Sequence, residues 1–396
     1  MQQAGVIIIG GGLACAQVAI QLRQRRFAGP VTLLSAEAHA PYWRPPLSKS
    51  ILEGTEAPDT AALRPTEFWE RRRIDLRLGM AAVALDPVRK TVATSTGDTL
   101  CYDHAVLAAG AQCIIPPLPG IDRPGVHVLR TLDDALALRD LAAPGMQIAI
   151  LGGGFIGLEA ASALTARGAR VTVIEREPRL LARVASPQMS EAVLALHRAR
   201  GVKVLLGRGA TAIGSAGGAA GAICLDDGKT VMFDHLLVCV GIRPHTELAM
   251  AAGLDCEDGI LVDHRLRSSD PAIFAVGDCA RFPSQRYGRR LRLESIQNAI
   301  DGGAVVAAVI CGETPCYDPL PIISSLQFGH QLDFIGLASN TCEVRQYRAD
   351  EDAALTVLHD DSGICIASES LDAAPDTLKK LRGLIADAAV LDKAAI

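Results

Sequence analysis

In the stretch QIAILGGGFIGLEAASALTARGARVTVIERE, residues 147–177, glycines stand at Gly152, Gly154 and Gly157. A G-x-G-x-x-G run between an apolar strand and a helix is suited to binding a dinucleotide. The first glycine makes the turn, the second lets the backbone approach a pyrophosphate, and the third lets helix and strand pack closely. The helix N-terminus then holds the diphosphate. Glu175 ends the following strand, where a carboxylate accepts hydrogen bonds from ribose hydroxyls. The same carboxylate repels a 2′-phosphate and favours NADH over NADPH. Arg176 and Arg179 stand close enough in sequence to favour that phosphate instead.

A second, less regular motif lies at the start of the chain. Gly10 and Gly12 occupy the first two glycine positions, and Cys15 stands at the third. Cys15 is small, so the packing it permits is only slightly looser. The next strand ends at Ser35, and Glu37 is the available substitute for the ribose carboxylate, unless it is a solvated loop residue. Two dinucleotide motifs in one chain suggest FAD and NAD, with hydride passing from the nicotinamide to flavin N5. Asp278 in VGDCA follows a strand and a glycine, where a carboxylate can bond a ribityl hydroxyl of a flavin.

These motifs require elements to carry them. Val6 to Ile9, the glycines, an amphipathic stretch from Leu13 to Arg26 and the strand Val31 to Ser35 make one βαβ unit, and residues 147–177 make another. Short strands are expected over Leu76 to Leu100, with a turn at Ser95 to Asp98. Buried strands are expected at His104 to Ala111, His235 to Pro244 and Ile273 to Arg281, and a helix at Ile296 to Ile310. Residues 214–222, GSAGGAAGA, read as a flexible hairpin or loop. From about Pro319 shorter strands and a helix from Pro375 to Ala388 indicate a third, smaller domain.

The 396 residues carry a formal net charge of -5, so no overall basic field points to nucleic acid. Glycine at 37 residues and aromatics at 4% suit a β/α architecture with many tight turns. The 11 cysteines sit mostly in apolar runs, as Cys15, Cys239 and Cys279 do, and read as small core residues with reduced thiols. Cys311 and Cys316 in CGETPC are the one local pair, with a redox role as the alternative. No signal peptide or bilayer-spanning run is visible, so a cytoplasmic location is expected, and no metal site.

The stretch YWRPPLSKS, Tyr42 to Ser50, places two prolines just before Lys49. Its stiff backbone lacks two N–H donors and suits neither helix nor central strand. This stretch, with GGGFIGLE at 152–159, VGIRPHTELA at 240–249, VGDCARF at 276–282 and RLESIQNA at 292–299, resembles the two-dinucleotide, glutathione-reductase-like flavoproteins. Within them it is similar to the NADH-dependent ferredoxin reductases of aromatic-ring dioxygenases and bacterial haem monooxygenases. The resemblance implies an α/β fold with two Rossmann-like domains and a small α+β C-terminal domain. The FAD domain would be 1–111 and 245–318, the NAD domain 112–244 and the interface domain 319–396.

The resemblance also implies site residues. FAD contacts fall on Gly10, Gly12, Leu13, Ala14, Glu37, Arg44, Lys49, Ala82, Ala109, Arg130, Asp278 and Ile296. NAD contacts fall on Gly152, Gly154, Phe155, Ile156, Gly157, Glu175 and Gly241. Lys49 and Glu159 match a pair beside the flavin ring and the nicotinamide, the ammonium stabilising electron density that arrives on the flavin and the carboxylate holding the lysine. Two positions depart from the family. Ala109-Gly110-Ala111-Gln112-Cys113 replaces the usual Thr-Gly and Arg-Pro, and Ser324 stands at the usual tryptophan of a W-S-x-Q stretch.

One absence separates sister families. Disulfide reductases carry a cysteine pair in the loop that here reads RPPLSKS, and peroxidase or oxidase relatives a single cysteine; residues 44–50 contain none. Electrons must then leave the flavin directly for another acceptor, and the resemblance implies an iron–sulfur ferredoxin of Rieske or plant/adrenodoxin type that takes them one at a time and feeds an oxygenase. The alternatives are a reductase or oxidase with a small acceptor such as a quinone, oxygen or an ascorbate radical, or a redox-switched binding protein like apoptosis-inducing factor. Arg71 to Arg73 and Arg286 to Arg292 are candidate docking patches for an acidic ferredoxin, or simply solvated surface charge.

Overall fold

The computed structural model describes residues 4–215, 221–338, 343–348, 355–361 and 364–387. The chain is mixed α/β and folds as two compact units. One comprises Met1–Trp43, Asp59–Gln112 and Arg243–Pro319, and the other Arg44–Pro58, Cys113–Ile242 and Leu320–Ile396.

The first unit is built on a five-stranded parallel sheet in the order Ile273–Ala275, His104–Leu107, Val6–Ile9, Val31–Leu34, Asp75–Arg77. Its central strand Val6–Ile9 is apolar throughout and fully buried, as a parallel strand covered on both faces must be. Helix Leu13–Gln24 packs against helix Ile296–Ile310 at glycine contact distance: a Cβ on Gly303 would stand 3.1 Å from Val18 N. A three-stranded antiparallel sheet, Ala82–Asp86, Thr91–Thr94 and Thr99–Cys101, completes the short-strand region.

The second unit repeats the plan with Lys203–Leu206, Arg170–Glu175, Gln147–Leu151, His235–Val238 and Val126–His127 in one parallel sheet. Strands Ala210–Ser215 and Gly221–Leu225 pair antiparallel, and the rest of the glycine-rich run, residues 216–220, lies outside the described residues. The C-terminal part is a five-stranded antiparallel sheet in the order Ile322–Gln327, His330–Gly336, Ile364–Leu371, Leu355–Asp361, Glu343–Arg348. Helix Pro375–Ala386 lays Leu381 and Ile385 on Ile335, Leu358 and Cys365; the expected end at Ala388 lies outside the described residues.

Several elements are shorter than the sequence suggests. The first helix stops at Gln24 because Arg26 takes a left-handed φ of 59°. The strands at 104–111 and 273–281 break at Leu107 and Ala275, where the chain turns at Gly110 (φ 69°) and Gly277 (φ 78°). The double proline is not irregular: Pro45–Ser48 forms one 3₁₀ turn. The prolines stand at its first two positions, where the missing N–H groups have no intrahelical partner to lose.

The cysteines are less uniformly buried than their apolar surroundings suggest. Cys15, Cys279 and Cys365 are in the core, but Cys101, Cys224 and Cys316 are exposed. Cys224 lies on the outward face of an alternating strand. Cys311 and Cys316 are both free thiols, and burial pushes Cys311 up. Among the described residues no helix is long and apolar enough to cross a membrane, and no cluster has the ligands to hold a metal ion.

Candidate dinucleotide and redox site

In the second unit the three glycines of the complete motif divide their labour. A Cβ on Gly152 would sit 2.2 Å from Cys239 O, and one on Gly157 would sit 2.2 Å from Gly152 O. Both positions are closed by backbone. Gly154, the N-cap of helix Phe155–Ala166, has no atom within 4 Å of such a Cβ. The turn is therefore packed behind and open in front, with the helix N–H groups directed to the open side, a cradle that fits a diphosphate. Apolar side chains surround the opening: Ile114, Ile156 and Val240 are all exposed. Gly241, at φ 119°, brings its backbone close to Ile114 and to the Arg183 guanidinium. Phe155 packs edge-on against Phe334, with ring centroids 5.2 Å apart.

Glu175 reaches back to the turn. Its carboxylate accepts from Gly153 N at 2.6 Å and from Glu177 N at 2.7 Å, so its position is set by backbone. Arg179 is committed elsewhere: it donates to Ala185 O, to Ser190 Oγ at 2.9 Å and to Ala182 O at 2.8 Å. Arg176 points to solvent, and Glu177 at 3.6 Å is its one ion-pair partner among the described residues. Of the two arginines near Glu175 in sequence, Arg179 is tied into its own loop and Arg176 is a loosely held surface charge.

Lys49 is placed by a buried anchor. Leu47 and Ser48 in the 3₁₀ turn and Ile51 and Leu52 after it are all buried, and the short helix Ser50–Glu53 packs on helices Leu132–Leu141 and Phe155–Ala166. Lys49 Nζ lies 2.6 Å from Glu159 Oε2, and Ser48 Oγ donates to the same oxygen at 2.5 Å. The lysine side chain keeps 21% exposure, whereas Glu159 has 4%. The pair is thus a partly exposed ammonium held by a buried carboxylate. Arg44 donates to the carbonyl of Arg130, just before the capping box in which Thr131 and Asp134 start helix Leu132–Leu141.

The S and Q of the W-S-x-Q stretch, Ser325 and Gln327, stand beside Glu159, a contact the sequence did not indicate. Ser325 donates to Glu159 Oε1 at 2.6 Å, and Gln327 Nε2 donates to Ser325 at 3.0 Å. Both lie on strand Ile322–Gln327, whose alternation buries Ser325 and Gln327 and exposes Ser324 and Leu326. Ser324 bonds Asp333 Oδ1 at 2.5 Å on the opposite face. The usable signal was a strand with polar residues at both of its inward positions. Arg183, beside Gly241, is marked by no sequence motif.

In the first unit Gly10, Ala109 and Asp278 follow the carboxyl ends of parallel strands Val6–Ile9, His104–Leu107 and Ile273–Ala275. A Cβ on Gly10 (φ 139°) would stand 2.3 Å from Ala108 O and 2.7 Å from Cys15 Sγ. Cys15 donates its S–H to that carbonyl at 3.3 Å, filling the place of the third glycine with a hydrogen bond. Gly12 caps helix Leu13–Gln24, and Ala14 lies against Gly277, whose Cβ would be 3.1 Å away, bringing Asp278 to the start of the helix. Glu37 follows the buried Ser35 and accepts from Tyr42 Oη at 2.5 Å. Ala109 is exposed beside Gly10's neighbour Ala108, Ala82 opens the antiparallel sheet, and Ile296 stands 43% exposed at the Ser295-capped start of its helix. Arg71, Arg72, Arg73, Arg286, Arg289 and Arg290 are exposed, whereas Arg292 is neutralised by Asp258 and Glu294.

The pyridine nucleotide-disulphide oxidoreductase family model matches residues 4–303. The probable ferredoxin reductase CtmF of Castellaniella defragrans is 39% identical over 370 residues, 93% of this chain and 90% of that protein. The ferredoxin reductase for the CYP199A2 system of Rhodopseudomonas palustris superposes with a TM-score of 0.94 at 36% identity, over 98% of this chain and 96% of that one. The covalent putidaredoxin reductase–putidaredoxin complex gives a TM-score of 0.92 at 31% identity, over 99% and 95% of the two chains.

Proposed function

We propose, since this chain belongs to the pyridine nucleotide-disulphide oxidoreductase family, that it is an FAD-containing NADH:ferredoxin reductase. NADH gives a hydride to flavin N5, and two ferredoxin molecules with [2Fe-2S] clusters each take one electron, which they carry to an oxygenase. Bound FAD supplies the conversion of a two-electron donor into one-electron steps. The chain supplies the binding, the orientation and the charge.

The observation that carries this reading is the Lys49–Glu159 pair in a segment without cysteine. Where a thiol relay would stand, this chain has an ammonium fixed by a buried carboxylate, which favours electron density arriving on the flavin. In this reading Lys49 and Glu159 are the catalytic pair. Gly10, Gly12, Leu13, Ala14, Glu37, Arg44, Ala82, Ala109, Arg130, Asp278 and Ile296 hold FAD. Gly152, Gly154, Phe155, Ile156, Glu175 and Gly241 hold NAD, joined by Arg183, whose guanidinium beside Gly241 suits a diphosphate. The division into an FAD domain (1–111 and 245–318), an NAD domain (112–244) and an interface domain (319–396) belongs to the same reading, as does a cytoplasmic location beside the NADH pool.

The test is steady-state turnover of the FAD-loaded protein with NADH. Cytochrome c reduction should depend on an added [2Fe-2S] ferredoxin, with slow oxygen consumption in its absence. Fast turnover with oxygen or a quinone, and none with Rieske-type or plant-type ferredoxins, would overturn it.

A further inference from the structure

The hydrogen bonds behind Glu159 run in one direction. A carboxylate only accepts, so the Ser325 hydroxyl must spend its single hydrogen on Glu159 Oε1, 2.6 Å away. Ser325 Oγ then accepts from the amide of Gln327 at 3.0 Å. That orientation turns Gln327 Oε1 toward His197 Nε2, 2.8 Å away, and an amide oxygen needs a donor. His197 must therefore carry its proton on Nε2. Its Nδ1 is buried and has no hydrogen-bond partner among the described residues.

All the members except Lys49 are sealed from water. Gln327 and His197 show 0% exposure, Ser325 1% and Glu159 4%. Burial holds His197 below the usual imidazole range, so the ring stays neutral and keeps its role as donor. The helix Pro187–Ala199 that carries it is fixed at its other end, where Ser186 N and Oγ donate to the buried Glu369, itself bonded to His359 at 2.6 Å. The ring of His197 also meets Phe328 edge-on, with centroids 5.1 Å apart. The chain of donors thus begins on a fixed helix and ends on the carboxylate that holds Lys49.

We propose that Ser325, Gln327 and His197 are positioning residues, a directed hydrogen-bond chain that orients Glu159 so that its Oε2 stays on Lys49 during hydride transfer. This rests on the reductase reading given above. The carboxylate has two oxygens, and Ser325 occupies the one that Lys49 does not use. Without that hydroxyl, Oε1 is a buried acceptor with no donor, and the carboxylate gains by rotating to share Lys49 and Ser48 between both oxygens. The ammonium then loses its fixed place.

The experiment uses the FAD-loaded full chain and its S325A, S325T and Q327L variants. Stopped-flow mixing with NADH should show S325A lowering the limiting rate of flavin reduction about tenfold, the scale of one unsatisfied buried hydrogen bond. The dissociation constant for NADH and the FAD content should stay unchanged. S325T, which keeps the hydroxyl, should return most of the rate, and Q327L should fall between. In parallel, ¹⁵N-histidine NMR, with His197 assigned by its absence in H197N, should show the Nε2–H tautomer in the wild type and in S325T. S325A should give mixed tautomers, because Gln327 is then free to turn. A wild-type rate in S325A, or the proton on Nδ1 in the wild type, would overturn the proposal. If NADH fails to reduce the wild-type flavin, the reductase reading falls, while the tautomers still decide the chain.

Discussion

Lys49 Nζ and Glu159 Oε2 stand 2.6 Å apart, across 110 residues of sequence, with the carboxylate buried and the lysine partly exposed. Such an asymmetric pair is not there for stability alone: a buried carboxylate costs desolvation that a hydrophobic residue would avoid. Its effect is to keep a cation in one place without a loose side chain's freedom. Lys49→Met should therefore leave FAD retention near the wild-type level and lower the rate of flavin reduction by NADH about a hundredfold, the scale of removing one preorganised charge. Rapid-mixing absorbance at the flavin band measures it, and an unchanged rate removes Lys49 from the mechanism.

The glycine motif separates binding from folding. Gly157→Ala puts a methyl group 2.2 Å from Gly152 O, so the helix and turn must move apart. A loss of about 1–3 kcal/mol is expected, the usual cost of overpacking. Gly154→Ala meets nothing within 4 Å and should fold as well as the wild type. In the proposed binding mode its methyl group occupies the space through which the backbone approaches a diphosphate, so the KM for NADH should rise about tenfold or more, the scale of a lost charge-assisted contact. Thermal unfolding and steady-state kinetics on both variants make the comparison. A Gly154→Ala protein that unfolds early and binds NADH normally would reverse the assignment.

Much of this was legible in the sequence because it is local. The two strand–glycine–helix units depend on short-range signals: apolar strands, glycine where the backbone closes, a small residue at Cys15. The helix Ile296–Ile310 is found where the pattern puts it. The contacts behind Glu159 were not legible, since Ser325 is 166 residues away and no spacing rule links the two. Arg179 misled for a related reason. Its place near Glu175 in sequence suggested phosphate binding, while its bonds to Ala182, Ala185 and Ser190 are visible only in the folded loop. The double proline was read as structure-breaking because each proline was weighed by the N–H it lacks, although the first turn of a 3₁₀ segment makes no use of those groups.

The nucleotide preference follows from the same loop. The Glu175 carboxylate is fixed by Gly153 N and Glu177 N, and Arg179 cannot leave its three oxygens without unravelling the segment. A 2′-phosphate would meet a held negative charge and at most the exposed Arg176. NADH should be the better donor, and Glu175→Ala should narrow the kcat/KM ratio about tenfold by removing one charge-assisted contact. Arg179→Ala should lower the unfolding temperature and leave the ratio alone. Paired kinetics with NADH and NADPH test this, and a wild type that prefers NADPH would show the electrostatic argument to be wrong.

Four histidines make stability depend on mild acid. Burial lowers His104, His127, His197 and His235 below the usual imidazole range, with His127 lowered further by His235, whose ring nitrogen lies 3.2 Å away. The folded chain therefore takes up protons at lower pH than the unfolded chain. Above about pH 6.5, the unperturbed histidine value, neither state binds these protons and the full stability is present. As pH falls below that value the unfolded state binds more protons, and by linkage the folded state loses ground. The unfolding midpoint should fall steadily between about pH 7 and pH 5, before carboxylate protonation begins to contribute. His197→Asn keeps a side-chain amide able to donate to Gln327, and it should remove part of this slope while costing stability at neutral pH through the lost ring contact with Phe328. Calorimetry of both proteins across that range decides it. A midpoint that rises on acidification would mean that these rings are charged in the folded protein, and with them His197, the first donor of the chain behind Glu159.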